Sequence, residues 1–155
     1  KTRLHFEPGV MVASVPWPYP DDAAQNYVDN VALEATRAGK GWFWTLRRKE
    51  NADELMGVIC LMDTPDNNRG FWLAPEWQGQ GYMTEACHAV TDFWFNVLER
   101  DVLRAPKAVA NDRSKRLSQR SGMRLVRLQK GEYVSGELET ELWEITREKW
   151  NQLHH

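Results

Sequence analysis

Gly70-Phe71-Trp72-Leu73-Ala74-Pro75-Glu76-Trp77-Gln78-Gly79-Gln80-Gly81-Tyr82-Met83-Thr84-Glu85-Ala86 changes character twice within a few residues, and those changes decide the fold. Residues 70–74 are short, aromatic and strand-like, and Pro75 stops them. From residue 83 to about residue 100, Ala86, Val90, Phe93, Trp94, Val97 and Leu98 fall at helical spacing, which marks an amphipathic helix packed on a sheet. Gly79 and Gly81 stand between the two. Lacking Cβ atoms, they let backbone N–H groups surround a phosphate, and the helix that follows turns its positive end to the same place. Main chain alone could therefore hold a pyrophosphate, with no lysine and no metal. The plain alternative is an ordinary turn. The dinucleotide fingerprint needs a third glycine and a later acid, and the nucleotide-hydrolysing loop needs Gly-Lys-Ser/Thr; neither pattern is met.

Upstream, residues 8–20 are broken by Pro8, Gly9, Pro16, Pro18 and Pro20, so they read as loop. Asp21 and Asp22 start a helix that runs to about Ala38 and ends at Gly39. Residues 42–48 read as a strand, and residues 55–62, apolar on both faces, as a central one. Downstream, residues 107–110 read as a strand after a break at Pro106. Asn111 opens a short basic helix over residues 114–121, ended by Gly122, and residues 123–128 and 138–146 form a last strand pair. This alternation predicts a mixed α/β (α+β) domain, a mixed sheet with helices on its faces.

The chain has 155 residues, enough for one domain with a substantial core; the expected domain is residues 1–153. A net charge of −2 gives no polyelectrolyte argument for nucleic acid, and no apolar run is long enough to span a membrane. Cys60 and Cys87 lie in apolar periodic segments without a CxxC partner, so we read them as reduced core residues of a cytoplasmic protein, with no metal site. Of the 8 tryptophans, Trp17, Trp42, Trp44 and Trp72 border the segments around the glycine loop, although core filling is the plainer role. His88 reads as structural, and His154 and His155 as terminal residues to set aside.

The quoted stretch resembles the acetyl-CoA motif of the GNAT superfamily, Gln/Arg-x-x-Gly-x-Gly/Ala, and is most similar to the branch of ribosomal-protein N-terminal acetyltransferases. Asn111-Asp112-Arg113-Ser114 followed by Arg120-Ser121-Gly122-Met123 resembles the family's Asn-x-x-Ser helix and its closing Gly-Met. Pro16-Trp17-Pro18-Tyr19-Pro20 after Glu7-Pro8-Gly9-Val10-Met11 resembles the same branch, which normally opens with a further strand and helix. Met83 departs from the small residue usual in the loop and is expected to narrow it.

The resemblance implies a GNAT fold, mostly antiparallel, with the central sheet splayed at an acetyl-CoA slot. It implies that backbone of Trp72, Leu73 and Ala74 pairs with pantetheine. The Leu73 N–H would polarise the thioester carbonyl. Gln78, Gly79, Gln80, Gly81, Tyr82 and Met83 would hold the pyrophosphate, and Asn111 and Ser114 would touch the cofactor. Glu132, in Glu132-Tyr133-Val134-Ser135-Gly136, matches the branch's base, and Ser114 its thiolate proton donor. Many members place a tyrosine where Ser118 stands here. Each assignment has a simpler reading: Glu132 as a turn residue, Ser114 as a helix cap, Glu85 as a dipole partner, the basic helix as a solvated face.

Acetyl transfer needs a neutral amine, a base for its proton and a donor for the thiolate. An α-amine, near about 7.8, asks less of the base than a lysine near about 10.4. The expected partners are acetyl-CoA and an amine acceptor, a protein N-terminus or a small molecule. An exposed final strand could pair with a second copy. The alternatives are a non-catalytic acyl-CoA-binding module and a sheet-based interaction domain that binds no CoA.

Overall fold

The computed structural model describes residues 33–133 and 136–155, with the side chains of Glu132 and Tyr133 outside the description. The loop at residues 8–20, Trp17 and most of the expected first helix lie outside the described residues. What is described of that helix is α1, Leu33–Arg37, closed by Gly39 in the left-handed region. Then come β1 (Gly41–Leu46), β2 (Gly57–Met62), β3 (Arg69–Leu73), a single 3₁₀ turn (Pro75–Trp77), α2 (Tyr82–Asn96), β4 (Val102–Ala108), α3 (Asp112–Arg120), β5 (Arg124–Tyr133), β6 (Gly136–Thr146) and α4 (Arg147–His154).

The strands form two antiparallel sheets, β1-β2-β3 and β4-β6-β5. As the sequence predicts, β2 is central in the first. The second departs from expectation twice. β4 runs through Pro106 instead of starting after it. Arg104 exchanges hydrogen bonds with Asn68 on the β3 side, so the nitrogen of Pro106, two residues on, faces that same side, where β4 has no ladder partner. A missing N–H costs nothing at such an edge. The last strand, β6, is flanked on both sides; the outer strands of this sheet are β4, on the β3 side, and β5, where Leu125, Val126 and Leu128 are exposed.

The core lies between these sheets and α2. Met83, Cys87, Val90 and Trp94 recur at helical spacing and are all buried. Trp94 Nε1 donates to the Val102 carbonyl at 3.0 Å, which ties α2 to the start of β4. Trp94→Ala is worth about 3–5 kcal/mol on the scale of large-to-small core substitutions. Trp42 stands edge-on to Trp94 and Trp44 edge-on to Phe93, so these two half-buried tryptophans pack against the core, the plainer of the roles expected for them. Met83 also points into the core and does not narrow the loop.

The terminal histidines belong to the packed structure. His154 stacks on Trp150 at 3.9 Å and meets His88 at 5.0 Å, while His155 reaches Asp92. Both cysteines are free thiols. Among the described residues no helix is long and apolar enough to cross a membrane.

Candidate active site: the cleft between the two sheets

Asn68 pins the two sheets together. It is 4% exposed, its N–H donates to the Arg104 carbonyl at 2.7 Å, and its Oδ1 accepts from the Arg104 N–H at 2.8 Å. Its Nδ2 is taken up by the carbonyls of Met62 and Thr64. Beyond this vertex β3 and β4 share no ladder among the described residues. Both run away from it, and the segments that follow them meet again at the far end, where Arg113 of α3 donates to the Gln78 side chain. We take the space between them, flanked by β3 and α2 on one side and by β4 and α3 on the other, as the candidate cleft.

The main chain of β3 alternates. Met62 N–H donates to the Asn68 carbonyl, and the register pairs Cys60 with Gly70 and Val58 with Trp72. Gly70 and Trp72 therefore face β2, and Ala74 N–H is spent on the Met56 carbonyl at 2.8 Å. Phe71 and Leu73 face the cleft. Of the three residues expected to offer backbone there, only Leu73 does so. Its carbonyl already accepts from Gln78 Nε2 at 2.9 Å.

The loop is open. Gly79 and Gly81 have φ of +77° and +86°, and a Cβ at either would meet nothing within 4 Å. Glycine is needed here for its backbone conformation, not for room. Among the described residues, no protein acceptor takes the N–H groups of residues 79–84; the first bond of the helix is Glu85 N–H to the Gly81 carbonyl. α2 thus begins uncapped, with its positive end toward the cleft. Trp77 packs edge-on to Tyr82 and carries Arg48 on its face at 4.6 Å, which braces the loop from behind. Glu85 stands exposed in the first turn, the position of a dipole partner.

α3 begins differently. Asn111 is its cap, its Oδ1 accepting from Ser114 N–H at 3.3 Å. Ser114 is 8% exposed and does not cap the helix. Ser118 is fully buried, and its hydroxyl finds no partner. Lys115 turns back to the Val109 carbonyl and to Glu141 at 3.3 Å, whereas Arg116 and Arg120 are exposed. Glu132 lies in the backbone of β5 opposite Glu137, beside the hairpin end; its side chain is outside the described residues.

Two residues that sequence reading missed sit deepest in the wedge. Lys107 is 5% exposed and Arg69 is 3% exposed. The Lys107 Nζ spans the gap to the face of Phe71, 5.1 Å from the ring centroid. Burial, and then the neighbouring Arg69 charge, pushes the Lys107 ammonium down to about 7. Burial raises the Cys87 thiol on α2, partly offset by Arg69 and Lys107. The signal was present in principle: Leu103, Ala105 and Lys107 share one strand face, and a lysine at a core-facing position is uncommon.

With this geometry in hand, comparison with known proteins becomes decisive. The family model for the acetyltransferase (GNAT) domain matches residues 3–124. The chain is a GNAT acetyltransferase-domain protein. A protein of Bacillus subtilis that carries the name ribosomal N-acetyltransferase YdaF is 32% identical over 87 residues, 53% of this chain. The match spans about half, 48%, of that relative's length. Among solved structures, spermidine N-acetyltransferase from Vibrio cholerae, in complex with CoA and spermine, superposes with a TM-score of 0.71 at 17% identity. That superposition covers 86% of this chain and 80% of that one. A ribosomal-protein alanine acetyltransferase from Vibrio fischeri gives 0.68 at 16% identity, over 76% and 68% of the two chains. At such identities the likeness is one of fold, and the splayed GNAT sheet expected from the sequence is borne out.

Proposed function

We propose that this GNAT domain is an acetyl-CoA-dependent N-acetyltransferase that moves the acetyl group directly to a primary amine. The observation that carries the reading is the row of N–H groups at residues 79–84 that have no protein acceptor among the described residues, at the end of the cleft away from Asn68. Free donors on positive-φ glycines ahead of a helix fit a diphosphate. The cleft-facing N–H of Leu73 fits a carbonyl oxygen that gains negative charge during transfer. A bound thioester supplies an activated acyl carbon; this chain's residues orient it and manage the protons. Gly79, Gln80, Gly81, Tyr82 and Met83 hold the diphosphate by main chain; Gln78, expected to join them, has its N–H on the Pro75 carbonyl, and contributes instead through its side-chain contact with Arg113 on the α3 side. Trp72 and Ala74 form the β3 wall, and Asn111 fixes the head of α3 beside Ser114.

The resemblance to the ribosomal-protein branch supports Glu132 as base and offers Ser114 as one candidate for the acid, a role this reading leaves open. The acceptor we favour is a protein N-terminus or a small amine. The test is thiol release from acetyl-CoA across peptides with varied N-termini, polyamines and aminoglycosides. Release with one amine class supports the reading. A melting shift with acetyl-CoA but no release from any amine would instead favour a non-catalytic acyl-CoA-binding module.

A further inference from the structure

We propose that Lys107 is the acid that meets the departing thiolate of the acyl donor, on the floor of the cleft between β3 and β4. The inference rests on the acetyltransferase reading above and names a residue that neither the motif nor the resemblance points to.

Position comes first. Phe71 and Lys107 each lie three residues beyond the Asn68–Arg104 vertex, counted as Phe71 from Asn68 and Lys107 from Arg104, so they share one level of the wedge. Leu73, whose N–H faces the cleft, is one strand repeat further along β3. A thioester whose carbonyl reached Leu73 would bring its sulfur between the same two strands.

Charge comes second. The groups facing Lys107 are Arg69 on β3, Cys87 on α2 and Glu141 on β6. Glu141 is occupied by Lys115 at 3.3 Å and by Trp143 Nε1 at 3.1 Å. Arg69 donates to Thr91 Oγ1 at 2.7 Å and to the Met123 sulfur at 3.5 Å, and its Nε has no partner. No carboxylate pairs with either Lys107 or Arg69 among the described residues. Two buried cations side by side without an anion are costly unless something negative arrives. The proposed reaction makes a negative charge in this cleft, on sulfur.

Chemistry comes third. As the amine nitrogen bonds to the acyl carbon it gives up a proton to the base on the acceptor side, the carbon–sulfur bond breaks and its electron pair stays on sulfur. The Lys107 ammonium gives that sulfur a proton and is left as a neutral amine, which regains a proton from solvent once the thiol has left. A lysine held near 7 transfers downhill to a thiol near about 8.5, whereas an ordinary lysine near about 10.4 would not. The alternative donors are weaker: neither the Ser114 nor the Ser118 hydroxyl is acidic near neutrality.

The experiment compares wild type with Lys107→Met, Lys107→Arg and Ser114→Ala. One readout is thiol release; a second, independent of turnover, is the thiolate absorbance of bound CoA as a function of pH. Lys107→Met and Lys107→Arg should each lower kcat by about 10²-fold or more, with the thioester KM within about threefold. In wild type, bound CoA should ionise below free CoA by a shift that stays under about one pH unit, so that transfer from Lys107 remains downhill, and Lys107→Met should abolish that shift. Should wild type turn over while Lys107→Met matches it in rate and thiol ionisation, or should only Ser114→Ala collapse the rate, Lys107 is not the acid and the enzyme reading stands. Absence of both CoA binding and thiol release in wild type would overturn the inference and the reading together.

Discussion

The two walls of the cleft are built from different materials. The β3–α2 wall presents main chain: the Leu73 N–H, then the donors of residues 79–84, without acceptors among the described residues, at the head of a helix whose N-cap, Gly81, has no side chain to cap it. The β4–α3 wall presents side chains: Lys107 on β4, then Lys115 and Arg113 on a helix whose Ser114 N–H is met by the Asn111 side chain. Backbone cannot be repositioned or change charge, so it suits the parts of a ligand that never vary. Side chains carry protons and can be tuned, so they suit the step where charge moves. On the proposed reading, one wall grips and the other reacts.

The sharpest way to break this comparison is to put a side chain on the gripping wall. Gly81→Val places a β-branched residue at a φ of +86°, where only glycine is comfortable, and tilts the donors away. CoA affinity measured by calorimetry should fall about 100-fold, roughly 2.7 kcal/mol. On the reacting wall, Lys107 links stability to pH. Its folded value, about 7, lies below the ordinary 10.5, so across that window the unfolded chain binds the extra proton. Stability therefore rises as pH climbs from 7 toward 10.5, with a slope of up to about 1.4 kcal/mol per unit from this group. Chemical denaturation across that range should show the rise in wild type and a flatter, higher curve for Lys107→Met.

Smaller effects sharpen the contrast between the helix heads. Asn111→Ala removes the α3 cap and should cost about 1 kcal/mol of stability in denaturant titrations. It should leave CoA affinity nearly unchanged, because the gripping donors belong to α2. Arg113→Ala opens the contact with Gln78. That pair is exposed, so the expected change in affinity is under about 1 kcal/mol.

The gripping wall was legible in the sequence because its signals are local. A proline stop, two glycines and a helical repeat lie within one stretch and need no partner to be read. The reacting wall was not, because its signals depend on pairing. Pro106 reads as a break until β4 is seen to have a free edge on the β3 side, and once it does, Lys107 falls on the core face beside Leu103 and Ala105. Asn68 looks like the end of a polar turn, and only the arrival of Arg104 makes it the vertex of the wedge. α4 escaped notice because its histidines resemble a tail, while their rings pack on Trp150 and His88.

The most direct test of the gripping wall is an amide-resolved NMR titration of the protein with CoA. The account predicts that the largest shifts fall on the N–H signals of Gly79, Gln80, Gly81 and Tyr82, with Leu73 next and the capped head of α3 following only weakly. Saturating CoA that leaves those glycine amides unmoved, or that moves the α3 head instead, would contradict it.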